Sequence, residues 1–141
     1  MKVVINRCYG GFGLSEEAIQ SYLKKKGLPC YKYEQTKYKF RDDINMWEKC
    51  DSFSIDGLFT YHYTKDHGNS IIDELPKEGY FYAGNIDRND LDLVAVVEEL
   101  GVAADGRHAS LKIVEIPDDV YWEIDEYDGL EEIHEVHRSW C

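Results

Sequence analysis

The fold is decided first by residues 2–18, which have the sequence KVVINRCYGGFGLSEEA. The β-branched run at 2–6 predicts a strand, and Ser15 followed by two glutamates predicts the start of a helix. Between them, three glycines at 10, 11 and 13 fit neither the G-x-G-x-x-G nor the G-x-x-x-x-G-K-[ST] phosphate motif. The two glutamates would also repel a phosphate, so the glycines favour a tight turn over an anion site at the helix N-terminus.

Aromatic spacing predicts β-structure in the middle of the chain. The sets 31/33 and 59/61/63 alternate with polar residues, as in half-buried antiparallel strands. Residues 42–50 are expected to form a helical turn, and residues 70–75 a second short turn that Pro76 ends. Residues 80–82 predict a brief aromatic strand.

The second half contains the clearest helical pattern. Asn89 or Asp90 is expected to cap a helix that Gly101 terminates, with an apolar stripe at positions 91, 94, 97 and 100. Two strands at 110–116 and 120–127 are expected to pair around a turn at 117–119. The tail 130–140 has helical spacing, with an extended conformation as the alternative. Strands and helices in separate blocks predict one α+β domain over 1–141, with an antiparallel sheet and two or three helices.

Composition and charge exclude several classes of protein. The 141 residues are 43% hydrophobic with 3 prolines, which excludes intrinsic disorder. No apolar run is long enough for a membrane span or a signal peptide, so we expect a cytoplasmic protein. The net charge is −12, and residues 51–141 hold 6 Lys and Arg against 22 Asp and Glu. That charge argues against nucleic acid or an anionic membrane as a partner.

Cysteine and histidine patterns predict no cofactor and no metal site. The four cysteines (Cys8, Cys30, Cys50 and Cys141) are too far apart for a zinc motif and are expected to be reduced thiols. Two histidines, His134 and His137, follow Glu131 in an E-x-x-H-x-x-H pattern that would share one face of a helix. A solvated edge is the favoured interpretation, since no second ligand cluster accompanies the pattern.

Residues 80–107 carry the strongest pattern for ligand binding. Tyr80, Phe81 and Tyr82 offer flat faces for a purine, and Asn89 and Asp90 suit a ribose or a base edge. Arg88 and Arg107 could bind a pyrophosphate, since a guanidinium group matches phosphate geometry. The alternative is structural, with Phe81 in the core, Asn89 capping a helix and both arginines in ion pairs.

Motifs near both ends of the chain resemble those of phage anti-Thoeris sponge proteins. The matching segments are VVINRCYGGFGLS at 3–15, IDRND at 86–90, VEELG at 97–101, ADGR at 104–107, LKIVEIPD at 111–118, EYDGL at 126–130 and HRSW at 137–140. The resemblance implies a phage protein that binds a cyclic ADP-ribose isomer in the host cytoplasm. It would hold that signal intact, without catalysis, and so block Thoeris immunity. Some members of the family are also implicated in capturing cyclic oligonucleotides.

The resemblance further implies a homo-oligomer built from dimers, with ligand pockets where subunits meet. The ligand contacts it implies are Phe81, Asn89 and Arg107, to which the pattern above adds Arg88, Asp90 and Tyr82. Two other functions stay open from the residues alone. One is a small nucleotide hydrolase or phosphodiesterase, and the other is an acidic inhibitor that binds a host protein.

Overall fold

The structure is a computed structural model that describes residues 1–37, 46–50 and 60–136. Contacts between Cα atoms divide the chain into two compact units. The outer unit combines Met1–Lys25 with Ala83–Cys141, and the middle unit is Lys26–Tyr82. All strand pairs are antiparallel, and helices α1 (Glu16–Lys25) and α2 (Leu91–Leu100) complete the predicted α+β class. No helix in the described ranges is long and apolar enough to cross a membrane.

The outer unit is built on the predicted N-terminal strand. Strand β1 (Lys2–Asn6) pairs with β7 (Leu111–Glu115), and the two helices pack against each other, with α2 also against β1. Apolar side chains are buried where these elements meet, because β1 is buried on both of its faces and each helix turns one apolar face inward. They are Val3, Val4, Ile5, Ala18, Ile19, Tyr22, Leu23, Leu93, Val94, Val96 and Val97.

Both helix starts are capped where the sequence predicts. The Ser15 hydroxyl oxygen accepts from the Ala18 amide at 3.1 Å, and the Asp90 carboxylate accepts from the amides of Asp92 and Leu93 at 2.8 and 3.2 Å. The predicted stripe on α2 is partly wrong, because Leu91 is 84% exposed. The buried positions are 93, 94, 96 and 97, a stripe rotated around the helix so that it faces α1 and β1.

The C-terminal part of the outer unit corrects two predictions. The expected hairpin around residues 117–119 is wrong: β7 pairs with β1, and β8 (Trp122–Tyr127) pairs with β9 (Leu130–Glu135). Asp128 and Gly129 both have positive φ, at 50° and 90°, as a two-residue hairpin turn requires. Residues 130–135 are extended rather than helical, so the alternative interpretation of the tail is correct there. Positions 137–140 lie outside the described residues.

The middle unit is a five-stranded sheet of order β5-β3-β2-β4-β6. Its strands are β2 (Tyr31–Lys37), β3 (Met46–Cys50), β4 (Thr60–Tyr63), β5 (Ser70–Ile72) and β6 (Tyr80–Phe81). The predicted helical turn at 42–50 is wrong for 46–50, which form a strand in which Trp47 lies between Gln35 and Ile71 of the neighbouring strands. Residues 42–45 lie outside the described ranges. The predicted turn at 70–75 likewise begins with a strand. In both places pairing with a neighbouring strand overrides the local signal.

Glycines in the outer unit allow backbone segments to approach closely. A Cβ atom added at Gly106 would lie 2.7 Å from the carbonyl carbon of Gly13, and the Gly106 amide donates to the Gly13 carbonyl at 3.0 Å. A Cβ added at Gly129 would lie 2.5 Å from the amide nitrogen of Gly11. The loop after β1 is therefore packed by backbone on two sides, as the turn interpretation of its glycines predicts.

We expect Gly129→Ala to destabilise the protein more than Gly27→Ala. Both glycines have positive φ, at 90° and 73°, so each alanine costs about 1–2 kcal/mol of backbone strain. Nothing lies within 4 Å of a Cβ at Gly27, whereas Gly129 adds the clash with Gly11, about 1–3 kcal/mol more. Urea unfolding of both variants measures the difference, and equal midpoints would contradict the packing described here.

Candidate functional site

A buried ion pair joins two segments of the outer unit. The Arg88 guanidinium donates to both Glu131 carboxylate oxygens, at 2.6 and 2.9 Å. The two side chains are 16% and 8% exposed, and the guanidinium carbon lies 3.5 Å from the centroid of the Phe12 ring. This bidentate geometry, with an aromatic face on one side, gives a strong and specific contact. Arg88 is thereby engaged in holding the fold.

Asn6 extends this buried network at the end of β1. Its side-chain amide donates to the carbonyls of Cys8 and Gly129 at 2.8 and 2.7 Å, and its side-chain oxygen accepts from the Ser110 amide at 2.8 Å. Its backbone amide donates to Glu131 at 2.7 Å. One fully buried side chain thus connects β1 to three segments: the loop after β1 that contains Gly10, Gly11 and Gly13 (the glycine loop), the start of β7 and the β8–β9 turn.

The other predicted ligand residues of the outer unit have different surroundings. Asp90 caps α2 and also accepts from the Tyr22 hydroxyl at 3.0 Å. Asn89 is exposed and donates to the Met1 sulfur at 3.5 Å, while Arg107 is exposed in the turn after Gly106. Of these residues, Asn89 and Arg107 therefore present the more accessible polar groups.

We expect Glu131→Gln to be strongly destabilising and Glu132→Gln to be nearly neutral. The first change leaves the buried Arg88 cation without its carboxylate, which costs about 3–5 kcal/mol. The neighbouring Glu132 side chain is 59% exposed and lies 3.9 Å from Arg7, so its loss costs about 0–1 kcal/mol. Guanidinium unfolding of both variants tests this, and a small effect of Glu131→Gln would assign the network a minor role.

The middle unit contains a pocket of about 260 Å³ on the aromatic face of its sheet. Tyr63 pairs with Tyr80 across β4 and β6, and Tyr61, two residues before Tyr63, lies on the same face. Their neighbours in the lining are Leu75, Pro76 and Lys77. Phe81 pairs with His62, so strand alternation places it on the opposite face from Tyr80. Tyr82 is 57% exposed at the end of this unit.

The three pocket tyrosines are held by each other and by one hydrogen bond. The Tyr80 ring lies 5.5 Å from Tyr63 and 6.4 Å from Tyr61, at angles of 62° and 45° between planes. The Tyr63 hydroxyl donates to the Pro76 carbonyl at 2.7 Å. Burial raises the pKa of both Tyr63 and Tyr80 above the usual value for a phenol, so both are neutral at physiological pH.

Lys77 places a positive charge beside these rings. Two other lysines of the middle unit are paired: Lys65 with Glu78 at 2.7 Å, and Lys49 with Asp66 at 2.6 Å. Within the described ranges, the Lys77 ammonium has no carboxylate partner. The middle unit has 8 Lys and Arg and 10 Asp and Glu, a net charge of −2. An anion therefore meets far less repulsion here than the total of −12 suggests.

The sequence predicts only part of this pocket. Tyr80 is among the predicted flat faces, whereas Tyr61 and Tyr63 are predicted only as part of a half-buried strand, and the prediction does not include Lys77. The signal for Lys77 is its place in the segment LPKEGY at 75–80, a lysine between a proline and a glycine–tyrosine pair. That segment predicts a turn that presents a cation next to an aromatic ring.

The described part of the histidine pattern is extended, not helical. His134 lies in β9, not on a helix, and its Nε2 is 2.9 Å from Asp125 across the hairpin; His137 lies outside the described residues. No group of three potential metal ligands occurs in the described ranges. Within those ranges Cys8 forms no disulfide, and its thiol donates to the His108 carbonyl at 2.9 Å.

We expect stability to fall as the pH rises above 10, and Tyr63 and Tyr80 to contribute to that fall. Their pKa values are raised by burial, so the unfolded chain releases these protons first, from its ordinary pKa of 10.0. The stabilisation is complete below that pH and is lost as the pH rises through the folded pKa.

Tyr63→Phe should flatten this alkaline loss, while the missing bond to Pro76 costs about 0.5–1.5 kcal/mol at neutral pH. Denaturant midpoints at pH 8, 10 and 11 measure both effects. An alkaline slope identical to that of the unchanged protein would show that Tyr63 ionises as it does in the unfolded chain.

Comparison with protein-family models, with curated proteins and with solved structures found no match to this chain.

Proposed function

We propose that this protein binds a small nucleotide signal and withholds it without chemical change, a cyclic ADP-ribose isomer being the candidate ligand. The observation that carries the proposal is the aromatic pocket of the middle unit beside the Lys77 ammonium. Stacking faces for a base and a cation for a phosphate are the two groups that nucleotide binding needs. The sequence resemblance to anti-Thoeris sponges supplies the ligand class and the biological setting, a phage protein acting in the host cytoplasm.

Sequestration sets a requirement on affinity rather than on chemistry. A protein removes a signal present at micromolar concentration only if its dissociation constant is below that level. This corresponds to a free energy of binding more favourable than about −8 kcal/mol. One pocket of 260 Å³ is small for such binding, since pockets for drug-sized ligands span roughly 300–1,000 Å³. A homo-oligomer built from dimers, which the resemblance implies, would let further residues contact the same ligand.

Asn89 and Arg107 are the second part of this proposal. Both are exposed, and the resemblance implies ligand contacts for each. Arg88 and Asp90 are engaged in the ion pair and the helix cap, so a ligand would meet them through the backbone or by displacing those contacts. Substitutions at Arg107 and at Tyr80 therefore distinguish binding by the outer unit from binding by the pocket of the middle unit.

We expect the protein to deplete a cyclic ADP-ribose isomer from solution and to release it intact. The protein, in molar excess, is mixed with the signal and removed by filtration, and the filtrate is quantified by mass spectrometry. Heating to denature the protein should then return the full amount, unchanged in mass and retention time. Tyr80→Leu should lower the captured amount if the pocket binds the ligand, and Arg107→Ala should do so if the outer unit binds it. Lys49→Gln, which breaks a pair away from the pocket lining, should not.

The alternative functions give different results in the same experiment. A nucleotide hydrolase would convert the signal to a product of new mass, in less than stoichiometric amounts of protein. An inhibitor of host proteins would leave the signal in the filtrate. One observation favours the inhibitor: the β8–β9 hairpin exposes three acidic side chains, Glu123, Asp125 and Glu132, together with Tyr127, which is 77% exposed. Either result would overturn sequestration.

A further inference from the structure

We propose that the middle-unit pocket recognises one flat base together with an adjacent phosphate, and that it discriminates charge rather than base identity. This inference rests on the proposed function and assigns a part of the ligand to particular residues. Lys77 is the residue that would select phosphorylated ligands, and Tyr61 and Tyr80 are those that would stack on the base. Three features of the pocket support this assignment: its size, its walls and its one charge.

The volume of the pocket limits how much of a ligand it encloses. At about 260 Å³ it lies below the usual range for a drug-sized molecule, roughly 300–1,000 Å³. A ring with one short substituent fits this space, whereas a whole dinucleotide does not. The remainder of a larger signal would extend into solvent or to other residues.

The walls provide surfaces for stacking and few groups for reading a base edge. The Tyr63 hydroxyl is already bonded to the Pro76 carbonyl, and Leu75 and Pro76 add apolar surface. Stacking on aromatic side chains is tolerant of base identity because every base has a π face. We therefore expect similar affinity for purine and pyrimidine nucleotides, with the larger purine somewhat favoured.

The charge in the pocket is positive. Among its six lining residues, Lys77 is basic and none is an aspartate or a glutamate, while the neighbouring carboxylate of Glu78 is paired with Lys65. The raised pKa values of Tyr63 and Tyr80 keep both phenols neutral, so they add no negative charge. A phosphate beside the base would be the counterion that Lys77 lacks within the described part of the chain.

Calorimetric titration with AMP, adenosine, UMP and inorganic phosphate tests this inference. We expect AMP to bind about fivefold or more tightly than adenosine, since one exposed charge contact is worth about that factor. UMP should bind within a few-fold of AMP, and inorganic phosphate should not compete with either. Lys77→Gln should make AMP and adenosine equal, and Tyr80→Leu should weaken both by a similar factor.

Lys49→Gln is the matched control, because Lys49 is a lysine of the same unit that is paired with Asp66, and neither residue lines the pocket. It should leave the preference for AMP intact. Equal binding of AMP and adenosine by the unchanged protein would overturn the inference, as would loss of the preference in Lys49→Gln. Strong competition by inorganic phosphate, or strict selection of one base, would also overturn it.

The experiments distinguish failure of the pocket inference from failure of the proposed sequestration. If Lys77→Gln and Tyr80→Leu still capture the cyclic ADP-ribose isomer as well as the unchanged protein, the pocket inference is overturned while the proposed function stands. If AMP binds in the pocket as described but the isomer stays in the filtrate, the inference holds for mononucleotides and the proposed signal is wrong.

Discussion

The outer unit depends on one buried charge pair. Arg88 and Glu131 meet with bidentate geometry, and the same Glu131 accepts the amide of Asn6, whose side chain holds three other segments. Two charges taken out of water are stable only when every donor and acceptor around them is satisfied. This requirement fixes the end of β1, the glycine loop and the β8–β9 hairpin together. It also gives Arg88 a structural task in a segment where the sequence suggests a ligand.

Local signals in the sequence predicted local structure well. The helix caps at Ser15 and Asp90 are correct because each is decided by hydrogen bonds within a few residues. Strand β1 is correct because its β-branched run favours an extended backbone. Pairing between distant segments was harder. The hairpin was placed around Pro117, although Asp128-Gly129 is the stronger turn signal and β7 has its partner more than a hundred residues away. Trp47 was assigned to a turn because its strand partners are not adjacent in sequence.

The candidate pocket also combines a local feature that the sequence predicts with non-local ones that it does not. The aromatic faces around residue 80 are predicted from the sequence, since consecutive aromatic residues are visible there. Tyr61 and Tyr63 join Tyr80 only through the register of β4 with β6, which places Tyr63 opposite Tyr80. Lys77 becomes notable only when the ion pairs of Lys49 and Lys65 are known. A pocket assembled by sheet register cannot be recovered from spacing along the chain.

The order of the two units along the chain has a consequence for synthesis on the ribosome. The outer unit is interrupted after Lys25 and resumes at Ala83, and its buried network closes only when Glu131 has been made. The middle unit is continuous, so all of its strands are available earlier. During translation β1 and α1 must therefore wait, with Val3, Val4 and Leu23 uncovered, until α2 and β7 have been made at residues 91–115. The nascent chain is thus most exposed to chaperones and proteases at its N-terminal end, the part that later becomes the core.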